Sequence, residues 1–149
     1  MYSIDNHINL LQENLQKEIV KKVKFNEDYI LLLNKAKPII SNMEKYLNKL
    51  GFTIISNNVR RTGIKEDGNE LHCNYSILPK SPTFKYIKDE GYDKHGRGKN
   101  HSKLVKKSTD LQQKILDLTG VECSVNQYSF GIKRGETKGG NILIEFWIE

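Results

Sequence analysis

The apolar period of this chain changes at Gly51, and that change constrains the fold more than any other feature. Before it, hydrophobic residues recur every three or four positions: Ile4, Ile8, Leu11, Leu15, Ile19 and Val23, then Tyr29, Leu32, Leu33, Ala36, Ile40, Met43, Leu47 and Leu50. That spacing makes one apolar stripe along a helix. After it, Phe52–Val59 reads as a strand. Glu70–Leu78 then alternates, with Leu71, Cys73, Tyr75 and Ile77 on one side and Glu70, His72, Asn74 and Ser76 on the other. Alternation marks a half-buried strand. Helix comes first and sheet follows, in a chain of 149 residues that suits one domain, 1–149.

The helical part, 1–50, is expected as a pair. The first helix ends near Lys24, and Asn26 caps the second, with Glu27 and Asp28 well placed against the positive end of its dipole. Pro38 predicts a kink or break inside the second helix. Gly51 is a natural stop, because glycine tolerates the left-handed conformation at a helix C-terminus. The first stripe spans fewer than three heptads, short for an independent coiled coil, so it is expected to pack within its own chain.

The part 52–149 reads as ββαββ around a long basic segment, 79–107. Arg60–Asn69, with Gly63 and Gly68, is the turn of the first hairpin, and Pro79 and Pro82 close its second strand. Thr109-Asp110-Leu111-Gln112 is a capping-box pattern that opens a short helix, with Leu111, Ile115 and Leu118 on one side and Gly120 as its stop. Val121–Lys133 reads as one strand whose apolar phase switches from Val121, Cys123 and Val125 to Tyr128, Phe130 and Ile132. That switch predicts a bulge near Asn126-Gln127. Asn141–Glu149 is apolar on both sides, so it is expected to be well covered, and Gly135, Gly139 and Gly140 make the hairpin tip, with Lys133, Arg134 and Lys138 nearby. The predicted fold class is α+β: an N-terminal helical pair, then two β-hairpins flanking a helix, in a mostly antiparallel sheet with helices on one face.

The basic segment holds Lys80, Lys85, Lys88, Lys94, Arg97, Lys99, Lys103, Lys106 and Lys107 against Asp89, Glu90 and Asp93. Its excess of six equals the whole formal net charge of the chain, +6. The positive charge is therefore local, which points to a local anionic partner. Aromatics interleave with the cations, and Gly91, Gly96 and Gly98 would let the backbone approach a phosphate. Cations neutralise phosphates and ring faces stack on bases, so this mixture suits a polynucleotide. The expected contacts are Lys85, Lys88, Lys94, Arg97, Lys99 and Lys103 on phosphate, with Phe84, Tyr86 or Tyr92 stacking. Arg60 and Arg61, with Lys65, form a second small cluster that extends the footprint.

No catalytic motif rises above background. His95 and His101, with His72 or Cys73, would sketch a zinc or nuclease site, but zinc ligands normally come in pairs about two to four residues apart. On a strand His72 and Cys73 also face opposite sides. No metal or cofactor is expected. Residues 91–97 match a P-loop only in glycine spacing: Arg97 replaces its lysine and the hydroxyl residue is missing.

Two cysteines, Cys73 and Cys123, are too few for a disulfide framework and sit in phase with apolar neighbours, as core residues do. No basic-then-apolar leader is present. The longest apolar run, Tyr29–Leu33, is far too short for a membrane span, so a cytoplasmic protein with no membrane partner is expected. The abundance of Lys, Asn and Ile fits AT-rich coding sequence, as in a low-GC bacterium, a phage or another mobile element. The sequence thus reads as a small non-enzymatic nucleic-acid-binding accessory protein. One rival is an inhibitor that binds an acidic surface of a nucleoprotein machine, as a counter-defence protein would. The other is a metal-dependent nuclease using His95 and His101.

Overall fold

The computed structural model describes residues 4–62, 70–80, 84–88, 90–133 and 135–149, without the side chains of 4, 5, 7 and 20–26. The turn expected around Gly63 and Gly68, and with it Lys65, lies outside the described residues. So do Pro82, Asp89 and Arg134.

The expected helical pair is one helix. α1 runs from Ile4 to Lys49, 46 residues and about 70 Å at 1.5 Å per residue. No glycine or proline interrupts residues 20–30. Asn26 in a helix interior loses only a fraction of a kcal/mol, less than restarting a helix after a break. Pro38 also lies inside the helix. Its ring and Asn34 are both exposed, so the carbonyl that loses its N–H partner is open to water. Leu32, Ala36, Met43 and Leu47 are buried, and Gly51 follows at φ 95°.

β1 (Phe52–Thr62) and β2 (Glu70–Pro79) form an antiparallel hairpin from Phe52↔Pro79 to Thr62↔Glu70, with an irregularity between Ile54 and Ser56. β6 (Ile142–Ile148) pairs antiparallel with the other edge of β2, and a short β4 (Ser124–Val125) pairs with β6. The order is β1-β2-β6-β4. Leu71, Cys73, Tyr75 and Ile77 of β2 and Ile142, Ile144, Phe146 and Ile148 of β6 are buried. They join Leu32, Ala36, Met43 and Leu47 of α1 and Leu111 and Ile115 of α2 in one core cluster. The fold is therefore α+β, an antiparallel sheet with its helices on one face. Between α1 and the sheet, Asn57 Nδ2 donates to Glu44 Oε1 at 2.9 Å and approaches Tyr75 Oη at 3.3 Å. Burial, with the Glu44 carboxylate beside it, pushes the Tyr75 phenol above its usual range.

Three expectations change in the second half. α2 spans His101–Thr119 and starts two turns before the capping box at Thr109. Leu104, Ser108, Leu111 and Ile115 already carry the helical spacing, and Thr109 Oγ1 donates back to Val105 O at 2.9 Å, the habit of a threonine inside a helix. Gly120 stops it at φ 73°, as its sequence position foretold.

The strand expected over Val121–Lys133 is instead three pieces. After β4, a 3₁₀ turn covers Gln127–Phe130, and β5 (Gly131–Ile132) leaves the main sheet to pair in parallel with β3 (Ile87–Lys88). Asn126 Oδ1 accepts from Tyr128 N at 3.0 Å and turns the chain there. The turn's period of three puts Phe130 inside and Tyr128 outside. Finally, β6 is covered on one face only. Leu143 and Trp147 are exposed on the other, where Trp147 stacks on His72 at 4.7 Å.

Candidate nucleic-acid interface

The basic segment divides into a core-packed start and a built hairpin. Phe84 lies among Phe52, Tyr86 and Phe130, with ring centroids 5.9, 5.2 and 6.2 Å away. Tyr86 Oη donates to Gly140 O at 2.9 Å, and a Cβ on Gly139 would meet its ring at 2.2 Å. Glycine is required there because the ring lies on the backbone. Two of the three rings expected to stack on bases, Phe84 and Tyr86, are thus held in packing. Alternation of Phe84 and Tyr86 reflects a short segment folded onto the core.

Lys107 belongs to this packing too. Its Nζ sits 4.5 Å from the Phe84 ring centre and donates to the Lys85 carbonyl. Burial lowers its pKa. Lys106 pairs with Asp110 at 3.1 Å, one helical turn on.

Residues 91–99 form a small hairpin. Tyr92 bridges to Gly98, Asp93 N donates to Arg97 O at 2.7 Å, and Lys99 N donates to Gly91 O at 3.0 Å. The Asp93 carboxylate ties the tip, accepting from His95 N at 2.8 Å and Arg97 N at 2.9 Å. Gly91 and Gly96 take positive φ, 82° and 77°, which side-chain-bearing residues rarely adopt. The Asn100 side chain is buried and donates to the Lys88 carbonyl, anchoring the hairpin where α2 begins. Lys85, Lys88, Lys94, Arg97, Lys99 and Lys103 are all exposed.

This hairpin walls one side of a groove of about 400 Å³. The 3₁₀ turn and β5 wall the other, with Ile87 and Leu104 between. Tyr92 is 73% exposed and Tyr128 68%, and both line it together with Lys88, His101 and Lys133. Tyr92 and Lys88 were expected at such a site. His101, weighed only as a metal or nuclease residue, lines it too. Tyr128 and Lys133 also line it without having been expected there, because Tyr128 was counted in the apolar phase of a strand. Asn126, two residues before it, was the available signal for a turn.

Arg60 and Arg61 do not form one cluster. They are adjacent on a strand, so they face opposite ways: Arg60 is exposed, while the Arg61 guanidinium lies 4.2 Å from the Tyr29 ring centre. They sit at the end of β1 away from Phe52, paired with His72 and Leu71.

The uncovered sheet face carries a second concavity, about 570 Å³, lined largely by Ser56, Asn58, Asn74, Ser76, Ser124 and Asn126, with the Glu145 carboxylate. That lining holds no cation. His72 Nε2 lies 3.0 Å from Glu145 Oε2, and Cys73 is buried on the opposite face. Among the described residues no three His, Cys, Asp or Glu side chains are grouped to hold a metal ion, and no helix is long and apolar enough to cross a membrane. A scan against protein-family models, a search of curated proteins and a search of solved structures each returned no match.

Proposed function

We propose that this protein binds nucleic acid, without catalysis, in the groove between the 91–99 hairpin and the Gln127–Phe130 turn. The observation that carries the reading is the pair of tyrosines, Tyr92 and Tyr128, each more than two-thirds exposed on the same groove. Exposed rings beside cations suit unpaired bases, because every base offers a π face and every linkage a phosphate. Lys88 and Lys133 flank the rings, and Lys94, Arg97 and Lys99 extend the positive charge along the hairpin. Lys85 and Lys103 lie farther along the same segment. Phe84, Tyr86, Arg60 and Arg61 take no part.

The test is a salt titration of binding to single-stranded oligonucleotides. Removing three phosphate contacts with Lys94→Ala, Arg97→Ala and Lys99→Ala should make the log–log slope shallower by roughly 2, at about 0.7 per contact on a single strand. Tyr92→Ala and Tyr128→Ala should each weaken binding by about 1–3 kcal/mol and leave the slope unchanged. Identical slopes and affinities in all variants would falsify the reading. The rival that the same charge favours is an acidic surface of a protein in a nucleoprotein complex. Capture of one protein from lysate that survives nuclease treatment, with no oligonucleotide binding, would select it.

A further inference from the structure

One face of the sheet is buried and the other is open to water, and the strand register fixes what the open face offers. Asn58, Asn74, Glu145 and Ser124 fall on one row across all four strands, because Asn58 pairs with Asn74, Asn74 with Glu145 and Glu145 with Ser124. Ser56, Ser76 and Leu143 form the next row. On the other side of the first row stand Arg60, His72 and Trp147. Rows two residues apart are separated by roughly 7 Å, and neighbouring strands by about 4.8 Å. The first two rows line the concavity of about 570 Å³.

The geometry points to a binding site for a neutral oligosaccharide, with the two polar rows hydrogen-bonding its hydroxyls and Trp147 stacking on a sugar ring. Serine hydroxyls and asparagine amides both donate and accept, as every sugar hydroxyl does. Among the described residues, the side chains of Ser56, Asn58, Asn74, Ser76 and Ser124 use none of that capacity within the chain. A sugar hydroxyl can replace the water on each of them without leaving a polar group unpaired.

Charge selects a neutral ligand. The lining holds one charged group, the Glu145 carboxylate, and no cation; Arg60, in the third row, lies outside it. A phosphate or sulfate would meet a like charge there and no counter-charge. A peptide is a poorer match, because an extended chain is bound along a sheet edge through its backbone, and these groups are side chains on the sheet face.

The indole is held in place for stacking. Trp147 is 48% exposed and lies nearly parallel to the His72 ring, at 17° and 4.7 Å. His72 Nε2 in turn lies 3.0 Å from Glu145 Oε2. The carboxylate that lines the concavity thus also fixes the imidazole on which the indole rests. Imidazole covers one indole face and leaves the other open. That face carries the negative side of the ring quadrupole, which suits the weakly positive C–H groups on the flat side of a sugar ring.

Trp147 is the only tryptophan in the chain, so its fluorescence reports on this face alone. Titration with neutral di- to tetrasaccharides built from hexoses, pentoses and N-acetylhexosamines should give a saturating change in emission for at least one of them. Calorimetry with that sugar should show binding weaker by about tenfold or more in Asn58→Ala with Asn74→Ala, since two hydrogen bonds are lost. Trp147→Ala should weaken it by about tenfold. The double asparagine variant should melt as the parent does, because it alters only the open face of the sheet. None of these three residues lines the hairpin groove, so the outcome does not depend on the nucleic-acid reading. No response to any sugar of the panel, or an affinity unchanged in the folded double variant, overturns the proposal. Tighter binding of a sulfated or phosphorylated sugar than of its neutral counterpart overturns the assignment to neutral ligands.

Discussion

The two halves of α1 are the same kind of sequence with opposite fates. Leu32, Ala36, Met43 and Leu47 are buried, while Ile8, Leu11, Leu15 and Ile19 are about half exposed. Both sets recur at three and four residues, and both are flanked by Lys, Glu and Asn. The periodicity of a stripe states that a helix has an apolar face. It does not state what meets that face. In the second half the partner is the sheet, whose buried face is supplied by β2 and by β6, and Ile142–Ile148 lies far along the chain from Leu32–Leu47. In the first half no described residue of the chain fills that place. The same contrast separates two aromatics of the basic segment: Phe84 is ringed by Phe52, Tyr86 and Phe130, whereas Tyr92 stands in solvent at the groove.

The contrast breaks most sharply under truncation. Deleting 142–149 removes four buried side chains and the partner of β2, so cooperative thermal melting should disappear. Deleting 1–19 should leave a chain that still melts cooperatively. A body that unfolds without the N-terminal half would show that this half is not peripheral to it.

Single truncations should follow the same division. Met43→Ala or Leu47→Ala leaves a cavity in the core and should cost about 2–5 kcal/mol in denaturant unfolding. Leu15→Ala, measured in dilute solution, should change the stability of the body by less than about 0.5 kcal/mol. Phe84→Ala should cost roughly 1–3 kcal/mol, because it is part of the packing. Tyr92→Ala should cost almost nothing while weakening oligonucleotide binding. A Phe84→Ala chain that keeps its stability but loses binding would return that ring to the interface.

A subtler effect comes from the cysteines. Burial pushes the Cys73 and Cys123 thiols from 9.0 up to about 11. The folded chain therefore holds both protonated where the unfolded chain would ionise them. Their contribution to stability is whole below about pH 9 and is lost as pH rises toward 11. Alkylation at pH 9 should be slow in native protein and fast in denaturant. Equal rates would place these thiols at the surface.

The smallest effect is expected on the hairpin. Lys94→Ala, Arg97→Ala and Lys99→Ala should together leave the melting transition within a few tenths of a kcal/mol per site, since all three side chains are exposed. A large loss would mean that these cations hold the hairpin together.

What the sequence determined by itself was everything set by local period and local chemistry. Alternation over Glu70–Leu78 placed Leu71, Cys73, Tyr75 and Ile77 inside, since successive strand residues must face opposite ways. Glycine at 51 and 120 ended the helices, because both adopt positive φ. The concentration of charge in 79–107 located the stretch that carries the exposed cations Lys85, Lys88, Lys94, Arg97, Lys99 and Lys103, though not the hairpin that presents several of them. The tertiary structure decided what depends on partners distant in the chain. It joined the two predicted helices, since no local breaker outweighs a continuous hydrogen-bond ladder. It kept Ser124–Val125 in the main sheet but turned Gln127–Ile132 out of it, since Phe130 reaches the core from a 3₁₀ turn and β5 finds β3 instead of β6. It packed Phe84 and Tyr86 against the core and left Tyr128 exposed on the groove beside Tyr92. An aromatic in a basic segment looks the same in sequence whether its ring will meet a base or a phenylalanine, because burial is a property of the neighbours that folding brings to it.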